Sequence, residues 1–469
     1  MADRSRPNGG ARLEIPPIAT ELGERFRLAG HELYLVGGVV RDLLLGRELG
    51  ADLDFATDAL PRETTKVLRT WAERVYLVGV RFGTVGARKA DQVLEITTFR
   101  EEVYAEEHRK PAVTFGKDLR TDLSRRDFTV NAMAIRLPEG EFVDPFAGVK
   151  DLAAKRLDTP LDPEIAFSDD PLRMLRAARF SAQLELVPAP RVVRAIEQMH
   201  DRLEIVSAER INEELTKLLL AGAPSRGLEL VVATGLAQEF LPELAALQLE
   251  QDPVHKHKDV LHHTFAVVEK TEATEDPTLR LAALLHDIGK PRTRAITPEG
   301  VSFHHHEVVG ARMARERLQA LRYPAHVVDD VARLVELHLR FHGYTEWSDS
   351  AVRRYVRDAG ALLDELNQLT RADCTTQNRF KAKKLEALQD DLEERIARLA
   401  EEENLDAMRP PLDGTQVMEH LGIPPGPEVG RALDHLMELR LERGPITEDE
   451  GYRLLDEWWA IERDTPGDR

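Results

Sequence analysis

The chain has 469 residues, 42% of them hydrophobic, which is enough for about three domains with separate cores. A formal net charge of −19 disfavours indiscriminate binding to polyanions, so any contact with nucleic acid must be local. The single cysteine, Cys374, excludes an internal disulfide. The first twenty residues lack the apolar core of a signal peptide, and no run of 18 apolar residues occurs. These features predict a cytoplasmic protein that is neither secreted nor inserted in a membrane.

Strand signals are confined to the first third of the chain. Residues 1–17 contain Gly and Pro but little apolar material, and we predict a mobile tail. Short β-rich runs then alternate with helical segments, which predicts an α+β domain with a small mixed sheet over residues 18–157. Within it, the charged stretch 101–122 is predicted to be a long loop rather than a strand.

Beyond Leu157 the apolar residues recur at helical spacing, and we expect no further strand. The predicted regions are an all-helical neck over residues 158–245, a histidine-rich helical bundle over 251–378 and a helical C-terminal region over 379–469.

The segment LVGGVVRDLLLGRELGADLDFAT (residues 35–57) carries the strongest pattern. Glycines at a strand-to-helix turn, Gly37 and Gly38, let backbone N–H groups approach a phosphate, and Arg41 adds a positive fork. Because side chains alternate along a strand, Asp52 and Asp54 emerge on one face, where two carboxylates can bind divalent metals. Such a pair suits phosphoryl or nucleotidyl transfer.

This segment resembles the polymerase-β-type nucleotidyltransferase superfamily, in which a Gly-Gly or Gly-Ser turn precedes an Asp-x-Asp strand. The resemblance implies that Asp52 and Asp54 are the catalytic residues and that they hold Mg²⁺ in an α+β head. Some members carry a third carboxylate. Glu95, in VLEITTF, is the nearby candidate, and an ordinary outward strand residue is the alternative.

Two further segments are SRRDFTVNAMAI (residues 124–135) and DDPLRMLRAARF (residues 169–180). In the second, arginines recur every three residues along one face of a predicted helix, and Ser168 is its predicted N-cap. A carboxylate beside a guanidinium, as in Asp170 and Arg173, matches the Watson–Crick edges of cytosine and adenine but not those of uracil and guanine. Protein side chains can therefore select C and A without a template.

Together these motifs resemble the bacterial and eukaryotic class of CCA-adding tRNA nucleotidyltransferases and the related poly(A) polymerases, over residues 33–245. The resemblance implies addition of CCA to tRNA from CTP and ATP. Asp169 stands where the family usually has Glu. Besides Gly37, Gly38 and Arg41, the implied nucleotide-binding residues are Asp170 and Arg173 as base readers, Arg126 and Asp127 at the sugar or phosphates, and Arg176 and Arg179 as phosphate or support groups.

The histidines follow the order of the HD superfamily, whose helical bundles bind one or two metals. The resemblance implies a metal site formed by His263, His286, Asp287 and Asp373, with His306 and His338 for a second metal. Imidazole and carboxylate ligands suit Mg²⁺ or a divalent transition metal. The remaining histidines, including His255, His257, His304 and His305, are read as ordinary polar residues.

Several functions stay open at this point. An A-adding enzyme or a poly(A) polymerase would bind ATP through the same pair of base readers. An HD-type phosphohydrolase could use the head to hold RNA ends, and an inert RNA-binding protein is disfavoured by the intact Asp52 and Asp54. The expected partners are tRNA, CTP and ATP, and the oligomeric state is open. Binding of tRNA should depend strongly on salt through a local basic stripe of Arg120, Arg125, Arg126, Arg176, Arg179 and Arg210.

Overall fold

A computed structural model describes residues 13–102, 113–248, 260–297, 300–374, 379–403 and 409–464. Most of the predicted tail, residues 1–12, lies outside these ranges, as do His255 and His257. The chain divides into two compact units, residues 1–240 and 241–469. The finer division into head, neck, bundle and C-terminal region stays a prediction.

The first unit combines strands and helices. Its strands are β1 (Leu33–Val36), β2 (Asp52–Thr57), β3 (Arg74–Tyr76), β4 (Thr84–Lys89), β5 (Gln92–Thr98), β6 (Arg100–Glu102), β7 (Val113–Phe115), β8 (Ala134–Leu137), β9 (Glu141–Val143), β10 (Arg156–Leu157) and β11 (Val187–Pro188). Its helices are α1 (Pro17–Leu28), α2 (Gly38–Leu44), α3 (Pro61–Arg69), α4 (Leu119–Ser124), α5 (Gly148–Ala153), α6 (Pro163–Asp169), α7 (Leu172–Leu184), α8 (Pro190–Met199), α9 (Ala208–Leu219), α10 (Pro224–Ala233) and α11 (Leu236–Phe240).

A seven-stranded mixed sheet organises this unit, in the order β3-β4-β5-β2-β1-β8-β9. Strands β2 and β5 run parallel, and the other neighbours run antiparallel. On one face, α1 and α3 cover a core that includes Phe26, Phe55, Leu68 and Ile96. On the other face, a smaller cluster around Phe99 covers only part of the sheet. The predicted α+β head with a mixed sheet is therefore confirmed.

The expectation of no strand beyond Leu157 is wrong in two places. In the first unit, β10 pairs parallel to β11 over two residues. In the second unit, β12 and β13 form an antiparallel ribbon in which Ile296 lies opposite Val301. Pairs this short carry too few side chains to show a period of two, so the helical spacing on either side dominates the pattern.

The predicted loop over residues 101–122 is also wrong at its ends. Strands β6 and β7 pair antiparallel with Arg100 opposite Phe115, and α4 follows. Residues 103–112, the middle of that stretch, lie outside the described residues. The charged sequence hid this ribbon because backbone pairing, rather than an alternating apolar face, defines it.

The second unit is helical apart from its one described ribbon. Its elements are α12 (Pro242–Ala245), α13 (Val260–Lys270), α14 (Thr278–Leu285), α15 (Lys290–Thr293), β12 (Ala295–Thr297), β13 (Gly300–Ser302), α16 (His306–Ala320), α17 (Ala325–Leu337), α18 (Asp349–Ala359), α19 (Leu363–Asp373), α20 (Arg379–Glu403), α21 (Gly414–Leu421), α22 (Pro427–Arg443) and α23 (Glu448–Asp464). Helices α13, α14, α17 and α19 pack together, and α21 to α23 enclose a separate small core around Leu436. Among the described residues, no helix is both long and apolar enough to cross a bilayer.

Candidate active site and metal centre

The turn between β1 and α2 needs glycine for two reasons. Gly37 has φ 79°, in the left-handed region that favours glycine. A Cβ at this position would lie 2.9 Å from Nη1 of Arg126 and 3.7 Å from Oδ2 of Asp54. The predicted glycine turn therefore brings the Arg126 guanidinium and the Asp54 carboxylate to one point.

The carboxylates of β2 and β5 share the open face of the sheet. Asp52 and Asp54 are exposed while Leu53 is buried, which is the alternation expected of a strand with one covered face. In the parallel pairing, Asp54 lies directly opposite Glu95. Glu95 is exposed on the same face, so the nearby candidate for a third carboxylate stands beside the predicted pair.

The electrostatics of these carboxylates favour a bound cation. Although Asp54 and Glu95 both reach solvent, the surrounding protein limits their hydration, and this raises the pKa of each. Asp52 raises both further, whereas Arg126 lowers the pKa of Asp54. Like charges held this close are stabilised when a divalent cation neutralises them.

A cleft of about 290 Å³ opens above these carboxylates. Asp54 and Glu95 line it, and the same cleft is lined by four basic side chains, Arg100, Arg125, Arg126 and Arg173. Carboxylates that hold metal beside arginines that pair with phosphate oxygens form a pocket suited to a nucleoside triphosphate. The structure thus brings the predicted base reader Arg173 into the same cleft as Asp54.

Asp127 and Arg41, both predicted nucleotide ligands, lie inside the protein. Asp127 is 8% exposed, and its Oδ2 accepts hydrogen bonds from Nη2 and Nε of Arg176, at 2.6 and 3.0 Å. Its Oδ1 accepts from Asn131, whose own carbonyl oxygen accepts from Nη1 of Arg41 at 2.7 Å. Arg41 is 6% exposed and also pairs with Asp42. These contacts therefore hold residues 35–57, 124–135 and 169–180 together inside the protein.

A carboxylate that the sequence analysis missed, Glu214 of α9, completes this support. Its Oε2 accepts from Nε of Arg179 at 2.6 Å, and its Oε1 accepts from Nη1 of Arg176 at 3.2 Å. Glu214 is 3% exposed. The available signal was its position within the apolar stripe of α9, between Ile211 and Leu218, where an unpaired charge is not tolerated.

The predicted base readers flank the start of α7. Ser168 lies within α6, so its predicted capping role is wrong; Asp170 instead accepts from the N–H of Leu172 at 3.2 Å. The other oxygen of Asp170 accepts from Arg210 at 2.7 Å. Arg173 donates to the carbonyl oxygens of residues 166 and 125, at 3.2 and 2.5 Å. The break between α6 and α7, which sequence periodicity did not reveal, sets the position of both readers.

In the second unit, the residues predicted from the HD pattern converge from several helices. His263 lies in α13, His286 and Asp287 follow α14, His306 begins α16, His338 follows α17 and Asp373 ends α19. Two groups of ligand atoms each lie within 4.8 Å of one another: His263, His286 and Asp287 form one, and Asp287, His306 and His338 form the other. Oδ1 of Asp373 lies 2.9 Å from Nε2 of His263 and 3.7 Å from Nε2 of His286.

The orientation of the imidazoles fits a metal. Nδ1 of His286, His306 and His338 each lies 2.6–2.8 Å from a backbone carbonyl oxygen of its own helix or turn. A carbonyl only accepts, so these nitrogens carry the proton and Nε2 presents its lone pair. All three Nε2 atoms are buried, and within the described part of the chain none has a hydrogen-bond partner. Three buried lone pairs turned toward shared carboxylates are the donor set of a metal site.

The charged and ionisable groups of the cluster act on one another: burial alone would lower the pKa of His286, but Asp287 and Asp373 raise it. Burial lowers the pKa of His338 to about 3, with His286 contributing, so His338 is a neutral ligand. Burial alone would raise the pKa of Asp287, but the histidines and Lys290 around it hold that pKa well below its usual range. Nζ of Lys290 lies 2.6 Å from Oδ2 of Asp287.

A glycine turn beside paired carboxylates in a mixed-sheet head, followed by a helical His/Asp cluster, defines a nucleotidyltransferase with an appended HD domain. Matches to known families agree: "Poly A polymerase head domain" over residues 33–158, "Probable RNA and SrmB- binding site of polymerase A" over 186–248 and "HD domain" over 260–402. The chain belongs to the tRNA nucleotidyltransferase family.

Membership rests on relatives of nearly full length. The chain is 35% identical to the A-adding tRNA nucleotidyltransferase of Deinococcus radiodurans, over 92% of this chain and 96% of the relative. It is 33% identical to the CC-adding tRNA nucleotidyltransferase of Thermus thermophilus, over 91% and 94%. It is 34% identical to the CCA-adding enzyme of Anoxybacillus flavithermus, over 71% and 73%.

Solved structures show the same fold. The CCA-adding enzyme of Bacillus stearothermophilus in complex with CTP aligns with a TM-score of 0.71 and 26% identity, over 96% of this chain and 99% of that one. The Thermotoga maritima CCA-adding enzyme complexed with tRNA aligns with a TM-score of 0.58 and 18% identity, over 95% of this chain and 96% of that one, a likeness of fold alone.

Proposed function

We propose that the protein adds CCA to tRNA 3′ ends from CTP and ATP without a template. In each cycle the 3′-hydroxyl oxygen forms a bond to the α-phosphorus, and the bond from that phosphorus to the bridging oxygen of pyrophosphate breaks. The observation that carries the proposal is the placement of Asp54 opposite Glu95 in a cleft that is also lined by four arginines. The CTP-bound relative with a TM-score of 0.71 supports a nucleotide in this fold.

Each side chain of the cleft has a proposed role. Asp52, Asp54 and Glu95 would hold Mg²⁺, which when bound supplies charge stabilisation at the reacting phosphate. Arg100, Arg125 and Arg126 pair with the triphosphate oxygens. Gly37 and Gly38 leave room for the guanidinium groups that flank the turn. Arg41, Asp127, Arg179 and Glu214 are buried and act by positioning rather than by contact. The half-buried Arg176, which pairs with Asp127 and Glu214, acts in the same way.

Base selection is assigned to Asp170 and Arg173. Their carboxylate and guanidinium complement the amine and ring nitrogen of cytosine or adenine. Asp170 is held by Arg210, and Arg173 by two backbone carbonyls. Binding of a base exchanges these partners for its Watson–Crick edge, and one pair serves both nucleotides because their edges share this polarity.

A tRNA extension assay tests the proposal. An end-labelled tRNA that ends at the discriminator base is incubated with CTP, with ATP and with both. CCA addition predicts two added nucleotides with CTP alone and three with both. Failure to incorporate CMP under any condition would overturn CCA addition.

A second candidate, A-addition alone, is favoured by one observation, the 35% identity to the A-adding relative over 92% of this chain. The same assay separates the two functions when it includes a tRNA that ends in CC. An A-adding enzyme extends this tRNA with ATP and leaves the shorter one unchanged. An enzyme that stops after two C residues, like the CC-adding relative by its name, extends only the shorter one.

The HD cluster supports a second activity, hydrolysis of a phosphomonoester or cyclic phosphate at an RNA 3′ end. The three buried Nε2 atoms without a partner carry this proposal. His263, His286, Asp287 and Asp373 would hold one divalent ion, Mg²⁺ or a transition metal, and His306 and His338 with Asp287 a second. Release of phosphate from a 3′-phosphorylated oligonucleotide, in buffers with each metal, tests it. We place both activities in the cytoplasm. Its reducing conditions are compatible with the free Cys374, and tRNA processing is compatible with this location.

A further inference from the structure

A row of paired residues connects the carboxylates to the edge of the sheet. Asp54 lies opposite Glu95, Glu95 opposite Gly86, and Gly86 opposite Tyr76 of the edge strand β3. Tyr76 is 41% exposed. A Cβ at Gly86 would lie 3.5 Å from Cδ2 of Tyr76, so the missing side chain of Gly86 leaves the ring room along the open face.

The neighbouring row brings two arginines together. Asp52 lies opposite Val93, Val93 opposite Arg88, and Arg88 opposite Arg74. Like charges directly opposite each other on adjacent strands destabilise a sheet. Among the described residues, the side chain of Arg88 pairs only with Asp91, at 3.4 Å; because that carboxylate is 96% exposed, the ion pair contributes little. Arg74 is exposed, and among the residues that the structure describes its side chain has no ion pair or hydrogen bond. A bound polyanion would relieve this repulsion.

We propose that Arg74, Tyr76 and Arg88, the edge platform, bind the RNA primer strand about four nucleotides upstream of its 3′-hydroxyl. An aromatic ring on which a base stacks, flanked by cations for the phosphates, is how proteins hold single-stranded nucleic acid. Three strand spacings of about 4.8 Å separate Tyr76 from Asp54, about 14 Å in all. A stacked strand that rises about 3.4 Å per nucleotide covers this distance in about four nucleotides. The platform therefore contacts the primer and not the incoming nucleotide.

The inference rests on the proposed function, and kinetics with separate substrates test it in the full chain. In Arg74→Ala/Arg88→Ala and in Tyr76→Ala, the KM for tRNA should rise by about tenfold, within the range that loss of a base stack gives, while the KM for CTP stays unchanged. Tyr76→Phe keeps the ring and should restore the KM for tRNA. For the double variant, the slope of log binding constant against log salt should fall by about 1.4, since each lost phosphate contact on a single strand removes about 0.7.

Arg62→Ala/Arg69→Ala is the matched control. Both arginines are exposed on α3, which packs on the opposite face of the sheet through Leu68, so the control removes the same charge elsewhere. If the platform and control variants share one KM for tRNA and one salt slope, the two arginines serve only to keep the sheet edge from pairing, and the inference is overturned. If the wild-type chain transfers no nucleotide, the proposed function fails. In that case, direct measurement of tRNA binding by Arg74→Ala/Arg88→Ala and by Arg62→Ala/Arg69→Ala still tests whether the edge platform binds RNA.

Discussion

At Asp127, the contacts with Arg176 and Asn131 outweigh the effect of burial on the pKa of the carboxyl group. Burial disfavours the charged carboxylate, but Arg176 and Asn131 lower its pKa to about 2. Because the folded-state pKa lies below the ordinary value, this group stabilises the fold above pH 4 or so, and the stabilisation is lost as the pH falls toward 2. The charge of Asp127 therefore stabilises the segment of residues 124–135 from inside the protein.

We expect Asp127→Asn to lower the free energy of unfolding by about 2 kcal/mol at pH 7, since it leaves Arg176 without its main partner. Urea unfolding of the full chain at several pH values measures this. The difference from wild type should shrink below pH 4. Glu139→Gln, an exposed carboxylate in the turn between β8 and β9, is the control. A difference that stays constant down to pH 3 would contradict the assigned contact.

The pKa of Glu95 is shifted in the opposite direction, upward, so its effect on metal binding is lost at a higher pH as the pH falls. A carboxylate must be deprotonated to bind metal, so Mg²⁺ affinity should begin to fall at a pH above the ordinary value of about 4.3. Glu95→Gln removes this titration, and its weaker Mg²⁺ binding should vary less between pH 7 and pH 5. Calorimetric titration with Mg²⁺ at both pH values checks this. Parallel losses in the two proteins would exclude Glu95 as a ligand.

At the scale of elements, strand register and the glycine turn place the chemistry. The alternation of β2 and the turn at Gly37 follow from the sequence, because both depend on local geometry. The neighbour of Asp54 does not follow, because the parallel pairing with β5 joins residues that are distant in the chain. The sequence therefore could not show that Glu95 lies beside Asp54. It also did not reveal the break between α6 and α7, which leaves Ser168 inside α6 and lets Asp170 accept from the N–H of Leu172.

We expect Gly37→Ala to reduce nucleotide addition by more than tenfold and to raise the KM for nucleotide, because its Cβ would displace Arg126. Gly30→Ala is the control that separates the displacement of Arg126 from the effect of backbone strain. Gly30 has φ 83°, similar to that of Gly37, but a Cβ there meets nothing within 4 Å. Backbone strain should lower the stability of each variant by about 1–3 kcal/mol. Equal activity in the two would show that the approach of Arg126 to the turn has no role in the reaction.

At the scale of the whole molecule, the net charge of −19 coexists with a cleft that four arginines line. Composition could predict only that contact with RNA is local. The two compact units also carry separate groups of residues, the carboxylates and arginines of the cleft in the first and a His/Asp cluster that could hold metal in the second. The order of the histidines, which resembles that of the HD superfamily, predicted the cluster. It could not predict the burial of Glu214 or Arg41, which depends on packing between helices.

We expect Asp287→Ala to remove most of the bound metal from the second unit, since Asp287 belongs to both groups of ligands. The metal content of the purified chain and its rate of phosphate release from a 3′-phosphorylated oligonucleotide should both fall. His305→Ala, whose side chain is 84% exposed beside His306, should retain both. Unchanged metal content in Asp287→Ala would refute the assigned site.

The most direct test is single-turnover addition of CMP to an end-labelled tRNA by Asp54→Asn, with Glu139→Gln as the matched carboxylate control. The substitution keeps the size of the side chain and removes the charge that would hold Mg²⁺ beside Glu95. Addition should slow by more than about a hundredfold in Asp54→Asn and stay at the wild-type rate in Glu139→Gln. Addition by Asp54→Asn at the wild-type rate would contradict metal-assisted transfer at these carboxylates.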